Sequence, residues 1–217
     1  MKIALDGPAG AGKSTVAKAI AKQLNITYLD TGAMYRTVAV FMLSKGIEPE
    51  QADKVEQELE NVKIEIKYED GIQKMFLCGE DVSQKIRENH ISGYASRFSA
   101  IPAVRVFLVR MQQELANKYD CILDGRDIGT CVLPDAEYKF FLTADSAERA
   151  RRRTKELIEK GVEADFDKIK AEIEKRDYDD SHRAVSPLKQ ADDALLVDST
   201  NMNADEVVEF IISKVKG

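Results

Sequence analysis

Gly7-Pro8-Ala9-Gly10-Ala11-Gly12-Lys13-Ser14-Thr15 fits the pattern G-x-x-x-x-G-K-S/T without a mismatch. Glycines at these positions let backbone N–H groups turn inward with no Cβ in the way, so the loop can cradle phosphate oxygens. The residues around it give the context the motif needs. Lys2-Ile3-Ala4-Leu5-Asp6 is a short, mostly apolar run before the loop, and Val16, Ile20 and Leu24 recur after it at helical spacing. A strand, a glycine-rich turn and a helix N-terminus predict a nucleoside-triphosphate site over residues 7–15. Lys13 is placed to reach the β- and γ-phosphates, and the Ser14 hydroxyl to reach Mg²⁺. Asp124, directly after the apolar run Cys121-Ile122-Leu123, has two readings. It either caps a turn or meets the same Mg²⁺ through a water, and the second is favoured.

A phosphate loop alone leaves kinase, GTPase, motor and regulatory binder open. Arg36, Arg105, Arg126, Arg176 and Arg183 fall at strand ends or on helix turns that face a cleft. Arginine matches phosphate bidentately, so this set exceeds what one triphosphate in a loop requires and points to a second, phosphorylated substrate. The base-recognition pattern N-K-x-D of GTPases is absent, which weakens that reading.

The elements that must hold these residues follow from periodicity. A second strand, Ile26–Asp30, precedes a helix expected from about Ala33, and this β-α-β-α rhythm predicts a parallel sheet. Pro49 is expected to open an acidic helix with Ala52, Val55 and Leu59 inward. The pattern then alternates through Val62, Ile64, Ile66 and Tyr68 to a hairpin turn at Asp70-Gly71 and a return strand Lys74–Cys78, with a short third strand near residues 79–82. Ser83 is expected to cap a helix carrying Ile86, Ile91 and Phe98, and Pro102 to start a longer one. Core strands at Cys121–Leu123, Tyr138–Leu142 and Ala194–Asp198 complete the sheet, and a final helix covers Asp205–Lys216. Asp145/Ser146 should cap a strongly basic helix ending near Gly161. The helix after it changes character: its inner stripe Phe166, Ile169, Ile173 continues at the same spacing as Arg176, Asp180 and Arg183. Its last turns should therefore leave the core and line a polar cleft.

The 217 residues are 44% hydrophobic, enough for one well-buried core with lobes. No apolar run approaches the roughly 18 residues of a membrane span, and the first residues carry no leader pattern, so a cytoplasmic location is expected. Cys78, Cys121 and Cys131 are an odd number without metal-like spacing, and Cys121 reads as core. A net charge of −6 argues against a nucleic-acid surface, so phosphate binding must come from local basic clusters. His90 and His182 are not expected to be catalytic.

With the loop, Leu29-Asp30-Thr31-Gly32-Ala33-Met34-Tyr35-Arg36, the β-rich insertion, Ser96, Pro102 with Val104-Arg105, Asp124-Gly125-Arg126-Asp127-Ile128-Gly129-Thr130, Lys175–Asp180 and Arg183–Leu188 all in order, the chain resembles the bacterial cytidylate kinases of the nucleoside monophosphate kinase superfamily. The resemblance implies a three-layer αβα P-loop fold with a five-stranded parallel core, a small antiparallel insertion near 62–82 and a helical lid. It divides the single domain 1–217 into a core, a monophosphate-binding lobe over about 31–100 and a lid over about 149–165. It implies transfer of the γ-phosphoryl group from ATP, with Mg²⁺, to CMP and dCMP. Arg36 and Arg126 would hold the acceptor phosphate, with Arg183 near the transferring group. Arg176 and Asp180 would contact the ribose, while Ser96, Arg105 and Asp127 would read the cytosine edge. Arg149 and Arg153 would reach ATP from the lid. Thr31 stands where the family more often has serine, which keeps the hydroxyl near the sugar-phosphate. The expected partners are small nucleotides rather than nucleic acid or membrane, with the chain acting as a monomer. Three other functions compete: a kinase for UMP or AMP, a non-catalytic ATP-binding regulator and a nucleic-acid-processing P-loop protein.

Overall fold

β1 (Lys2–Asp6) is buried from Ile3 onward, the signature of a strand covered on both faces. It leads into α1 (Lys13–Leu24), which buries Val16, Ala17, Ile20 and Ala21 and ends at Asn25 in the left-handed conformation, whose N–H donates to the Ala21 carbonyl. Next in order come β2 (Thr27–Asp30), α2 (Thr31–Ser44), α3 (Ala52–Glu58), β3 (Ile64–Glu69), β4 (Ile72–Leu77), β5 (Glu80–Asp81), α4 (Asn89–Ser99) and α5 (Pro102–Ala116). The chain closes with β6 (Cys121–Gly125), β7 (Tyr138–Thr143), α6 (Ser146–Glu159), α7 (Phe166–His182), β8 (Leu195–Asp198) and α8 (Ala204–Lys216). This computed structural model describes residues 1–69 and 72–216, and at 89 the backbone alone. The turn expected at Asp70-Gly71 lies outside the described residues.

The five-stranded sheet has the order β2-β6-β1-β7-β8, with β1 parallel to both β6 and β7, and β7 parallel to β8. The chain forms two compact units, the first being Met1–Tyr28 with Tyr119–Gly217. Its core gathers Ile3, Leu5, Val16, Ile20, Ile122, Phe140, Leu142, Val207 and Ile211. Asp6 and Asp124 stand at the carboxyl ends of two central strands, where open α/β sheets place their ligands. The second unit, Leu29–Lys118, carries the antiparallel sheet β3-β4-β5 and a core around Met34, Val38, Met42, Val55, Met75, Phe98 and Leu108.

Several local details differ from expectation. α2 starts at Thr31 rather than Ala33, because the Asp30 side chain accepts from the Ala33 N–H and caps the helix earlier. α3 starts at Ala52, three residues past Pro49. Ser83 caps nothing: its hydroxyl accepts from Met75 N–H at 2.9 Å, and the expected helix breaks into a short turn, Lys85–Arg87, followed by α4. Asp145 precedes α6 without a side-chain cap bond, and its own N–H donates to Thr200 Oγ1. Leu195 and Leu196 are exposed because β8 forms an edge of the sheet. No helix among the described residues is long and apolar enough to cross a membrane.

Candidate active site

In the first unit, the loop 7–12 leaves the end of β1 and wraps into α1. Gly7 has φ 150°, and a Cβ there would stand 1.9 Å from the Leu142 carbonyl oxygen. Strand β7 passes so close that no side chain fits. Gly12 occupies the N-cap of α1 without a side-chain cap bond, which leaves the first N–H groups of the helix for a ligand. Lys13 is buried and donates to the Pro8 carbonyl at 2.7 Å. Burial, then the guanidiniums of Arg126 and Arg176, push its ammonium well below the ordinary lysine range, against the pull of Asp124 and Asp6. A phosphate arriving here would restore the favourable charged form.

Ser14 Oγ donates to Asp124 Oδ2 at 2.7 Å, and the Tyr28 hydroxyl donates to Asp124 Oδ1 at 3.0 Å. Asp124 thus adjoins the other oxygen assigned to Mg²⁺. No group of three His, Cys, Asp or Glu among the described residues could hold a metal alone. One hydroxyl and one carboxylate suit Mg²⁺, which takes most of its remaining ligands from phosphates and water.

Beyond β6 the chain makes a wide helical turn, Ile128–Val132, closed by Val132 N–H to the Asp127 carbonyl and Leu133 N–H to the Ile128 carbonyl. Asp6 anchors this turn, accepting from Ile128 N–H at 2.8 Å and Gly129 N–H at 2.7 Å. Arg126 Nε donates to Asp180 Oδ2 at 2.8 Å, and Arg183 lies 3.6 Å from Asp127 and 3.8 Å from Asp180. Burial raises the Asp180 pKa, but Arg126, Arg176 and Arg183 outweigh it and hold the carboxyl below its usual range. Arg126, Asp127, Arg176, Asp180 and Arg183 therefore form one charge network. Arg149 and Arg153 part company. Arg149 is buried, donating to the Ala144 carbonyl at 2.8 Å, to the Ala9 carbonyl at 2.9 Å and to Asp177. Arg153 is half-exposed and pairs with Glu156 at 2.8 Å.

The second unit has its own basic centre. The Asp30 carboxylate that caps α2 also meets Arg36 Nη2 at 3.2 Å and Arg87 Nη2 at 3.1 Å, while Gln73 Oε1 accepts from Asp30 N–H at 2.9 Å. Thr31 is buried in the first turn of α2. Arg105, 2% exposed, sits 5.6 Å from the Tyr35 ring and donates to the Ser99 carbonyl, while Ser99 Oγ donates to the Ser96 carbonyl. Ser96 and Arg105 thus share one neighbour.

Residues 3–217 match the sequence profile of a family described as cytidylate kinase. The chain belongs to that family. It is 52% identical over 217 residues to the cytidylate kinase of Streptococcus pyogenes serotype M5 (strain Manfredo), covering 100% of this chain and 96% of that one. Among solved structures, an uncharacterized protein from Eubacterium ventriosum ATCC 27560 aligns with a TM-score of 0.56 at 14% identity, covering 100% of this chain and 99% of the other. A shikimate kinase from Bacteroides thetaiotaomicron aligns with a TM-score of 0.50 at 12% identity, with the same coverage. At that identity the two structures speak for the fold alone. Membership of the cytidylate kinase family makes the chain a nucleoside monophosphate kinase that acts on CMP.

Sequence reasoning gave no site role to Asp6, Tyr28, Asp30 or Arg87. Asp6 did leave a signal: a lone carboxylate ends an otherwise apolar buried strand, where ligands of such sheets gather. Nothing local pairs Asp30 with Arg87, 57 residues away. Asp6 also makes stability depend on pH. Burial lifts its pKa from 3.8 to about 6, so the folded state favours its protonated form. That contribution is full below about pH 4 and is lost as pH rises through about 6, by at most about 3 kcal/mol. Urea unfolding of parent and Asp6→Asn should show the variant gaining on the parent between pH 4 and pH 7. A constant difference across that window would mean that Asp6 does not titrate there.

Proposed function

We propose that the chain transfers the γ-phosphoryl group of ATP to CMP and dCMP, releasing ADP with CDP or dCDP. The observation that carries this is the gathering of Lys13, Arg126, Arg176 and Arg183 in the phosphate loop's own unit, where Arg126 and Arg176 act on the Lys13 ammonium and all three arginines act on Asp180. Residues 7–15 hold the triphosphate through backbone N–H groups, with Arg149 and Arg153 serving the ATP side. Arg36 and Arg126 grip the acceptor phosphate, and Arg183 steadies charge on the transferring group. Arg176 and Asp180 orient the ribose, and the Thr31 hydroxyl serves the sugar-phosphate. Ser96, Arg105 and Asp127 select cytosine, whose 4-amino group donates where uracil presents an acceptor. In this assignment residues 31–100 serve the monophosphate and 149–165 act as the lid, with the chain working as a cytoplasmic monomer on small nucleotides.

In-line transfer between two phosphates needs no covalent intermediate and no general base, since the attacking oxygen is already ionised. It needs two polyanions held close and water kept away. Ser14 and Asp124, the latter through a water, would hold Mg²⁺, which would neutralise negative charge on the phosphate oxygens. Ser14 and Tyr28 already orient the Asp124 carboxylate for that duty.

ATP labelled on its γ-phosphate provides the test. Incubated with CMP, it should deliver the label to CDP. Label accumulating as inorganic phosphate at the same rate with or without CMP would point to an ATPase or a regulator instead.

A further inference from the structure

Asp177 has no part in the transfer as set out above, yet it touches the phosphate loop. Its Oδ1 accepts from Ala9 N–H at 3.0 Å, and its Oδ2 is engaged by Arg149. The same Arg149 donates to the Ala9 carbonyl, so both backbone groups of Ala9 are held from α6 and α7. The approach is close: a Cβ on Gly10, where φ is 75°, would stand 3.3 Å from Arg149 Cβ and 3.5 Å from Ile173 Cδ1.

The Ala9 N–H and the Pro8 carbonyl belong to one peptide unit. That unit is planar and trans, so its N–H and C=O point in opposite directions and turn together. Lys13 Nζ donates to the Pro8 carbonyl. Asp177 and Lys13 are therefore bonded to the two ends of a single rigid plate. A carboxylate at the N–H end fixes the plate's orientation and polarises its carbonyl toward the ammonium. We propose that Asp177 is a positioning residue for catalysis, aiming Lys13 through the Pro8–Ala9 peptide. Arg149 supports it by neutralising the carboxylate beside a loop that must accept a polyanion. The proposal rests on the assignment of Lys13 given above and adds the group that directs it.

The test is a double-mutant cycle on the full chain: Asp177→Ala, Asp177→Asn, Lys13→Ala and the two double variants. Single-turnover CDP formation is followed, together with the Ala9 amide proton shift. Asp177→Ala should lower the rate about tenfold with KM for CMP within about twofold, and Asp177→Asn, which keeps one oxygen acceptor, should fall in between. In the Lys13→Ala background either Asp177 change should cost less than about twofold. The Ala9 amide proton should shift upfield when the carboxylate is removed. A merely structural tether predicts the opposite, with the full loss persisting in the Lys13→Ala background, and that result overturns the proposal. So does Asp177→Ala at the parental rate, or an unmoved Ala9 signal. Where Asp177→Ala fails to fold by thermal melting, the Asp177→Asn pair decides by the same criteria. Parental turnover by Lys13→Ala would remove the Lys13 assignment and this proposal together, whereas uncoupled losses remove the proposal alone.

Discussion

Lys13→Ala is expected to lower kcat for CMP phosphorylation by about a thousandfold, the scale seen when a preorganised charge at a developing anion is removed. The buried ammonium is held against the Pro8 carbonyl, where desolvation already works against its charge. The protein therefore spends folding stability to keep a cation there, and a negative ligand is what makes that arrangement favourable. Removing it relieves the desolvation cost, so the melting temperature should fall little or rise. Thermal melting and steady-state turnover, measured on the same preparation, separate the two effects. A variant that keeps more than about a tenth of parental kcat would contradict the role of Lys13 in transfer.

Asp127→Asn should cut the preference for CMP over UMP by about a hundredfold, because an amide can turn its donor toward the uracil carbonyl and a carboxylate cannot. Asp127 is 4% exposed and lies 3.6 Å from Arg183, so the carboxylate is fixed rather than free to swing away from the wrong base. The loss should come from both sides: slower CMP turnover as a charge-assisted bond weakens, and faster UMP turnover as a like-polarity contact disappears. Measuring kcat/KM for both substrates decides it. An unchanged ratio removes Asp127 from base selection, and a uniform loss for both bases makes it a structural group.

Local chemistry was what the sequence revealed best. The phosphate loop is legible because its shape depends on residues 7–15 and the run on either side. The stripe of α7 is legible too: Ile169 and Ile173 pack with Ala150 as a small core, and one turn further on Arg176 and Asp180 join the charge network. Contacts that depend on the finished fold were not legible. Arg149 reads in sequence as one member of a strongly basic helix, and nothing local shows that its guanidinium finds two carbonyls and a carboxylate and is buried. The anchor from Asp6 to Ile128 and Gly129 spans more than 120 residues and requires a wide turn that no periodicity signals. Asp30 read as part of a motif, and only the fold brings Arg36 and Arg87 to it together.

Whether a triphosphate and a cytidine monophosphate are bound together for direct transfer is decided by initial rates of ADP release from ATP with saturating CMP, dCMP, UMP or AMP, in the presence of Mg²⁺. Release should be rapid with CMP and dCMP, and kcat/KM at least about a hundredfold lower for UMP and AMP. ADP release that is the same with every monophosphate, or with none, would contradict it.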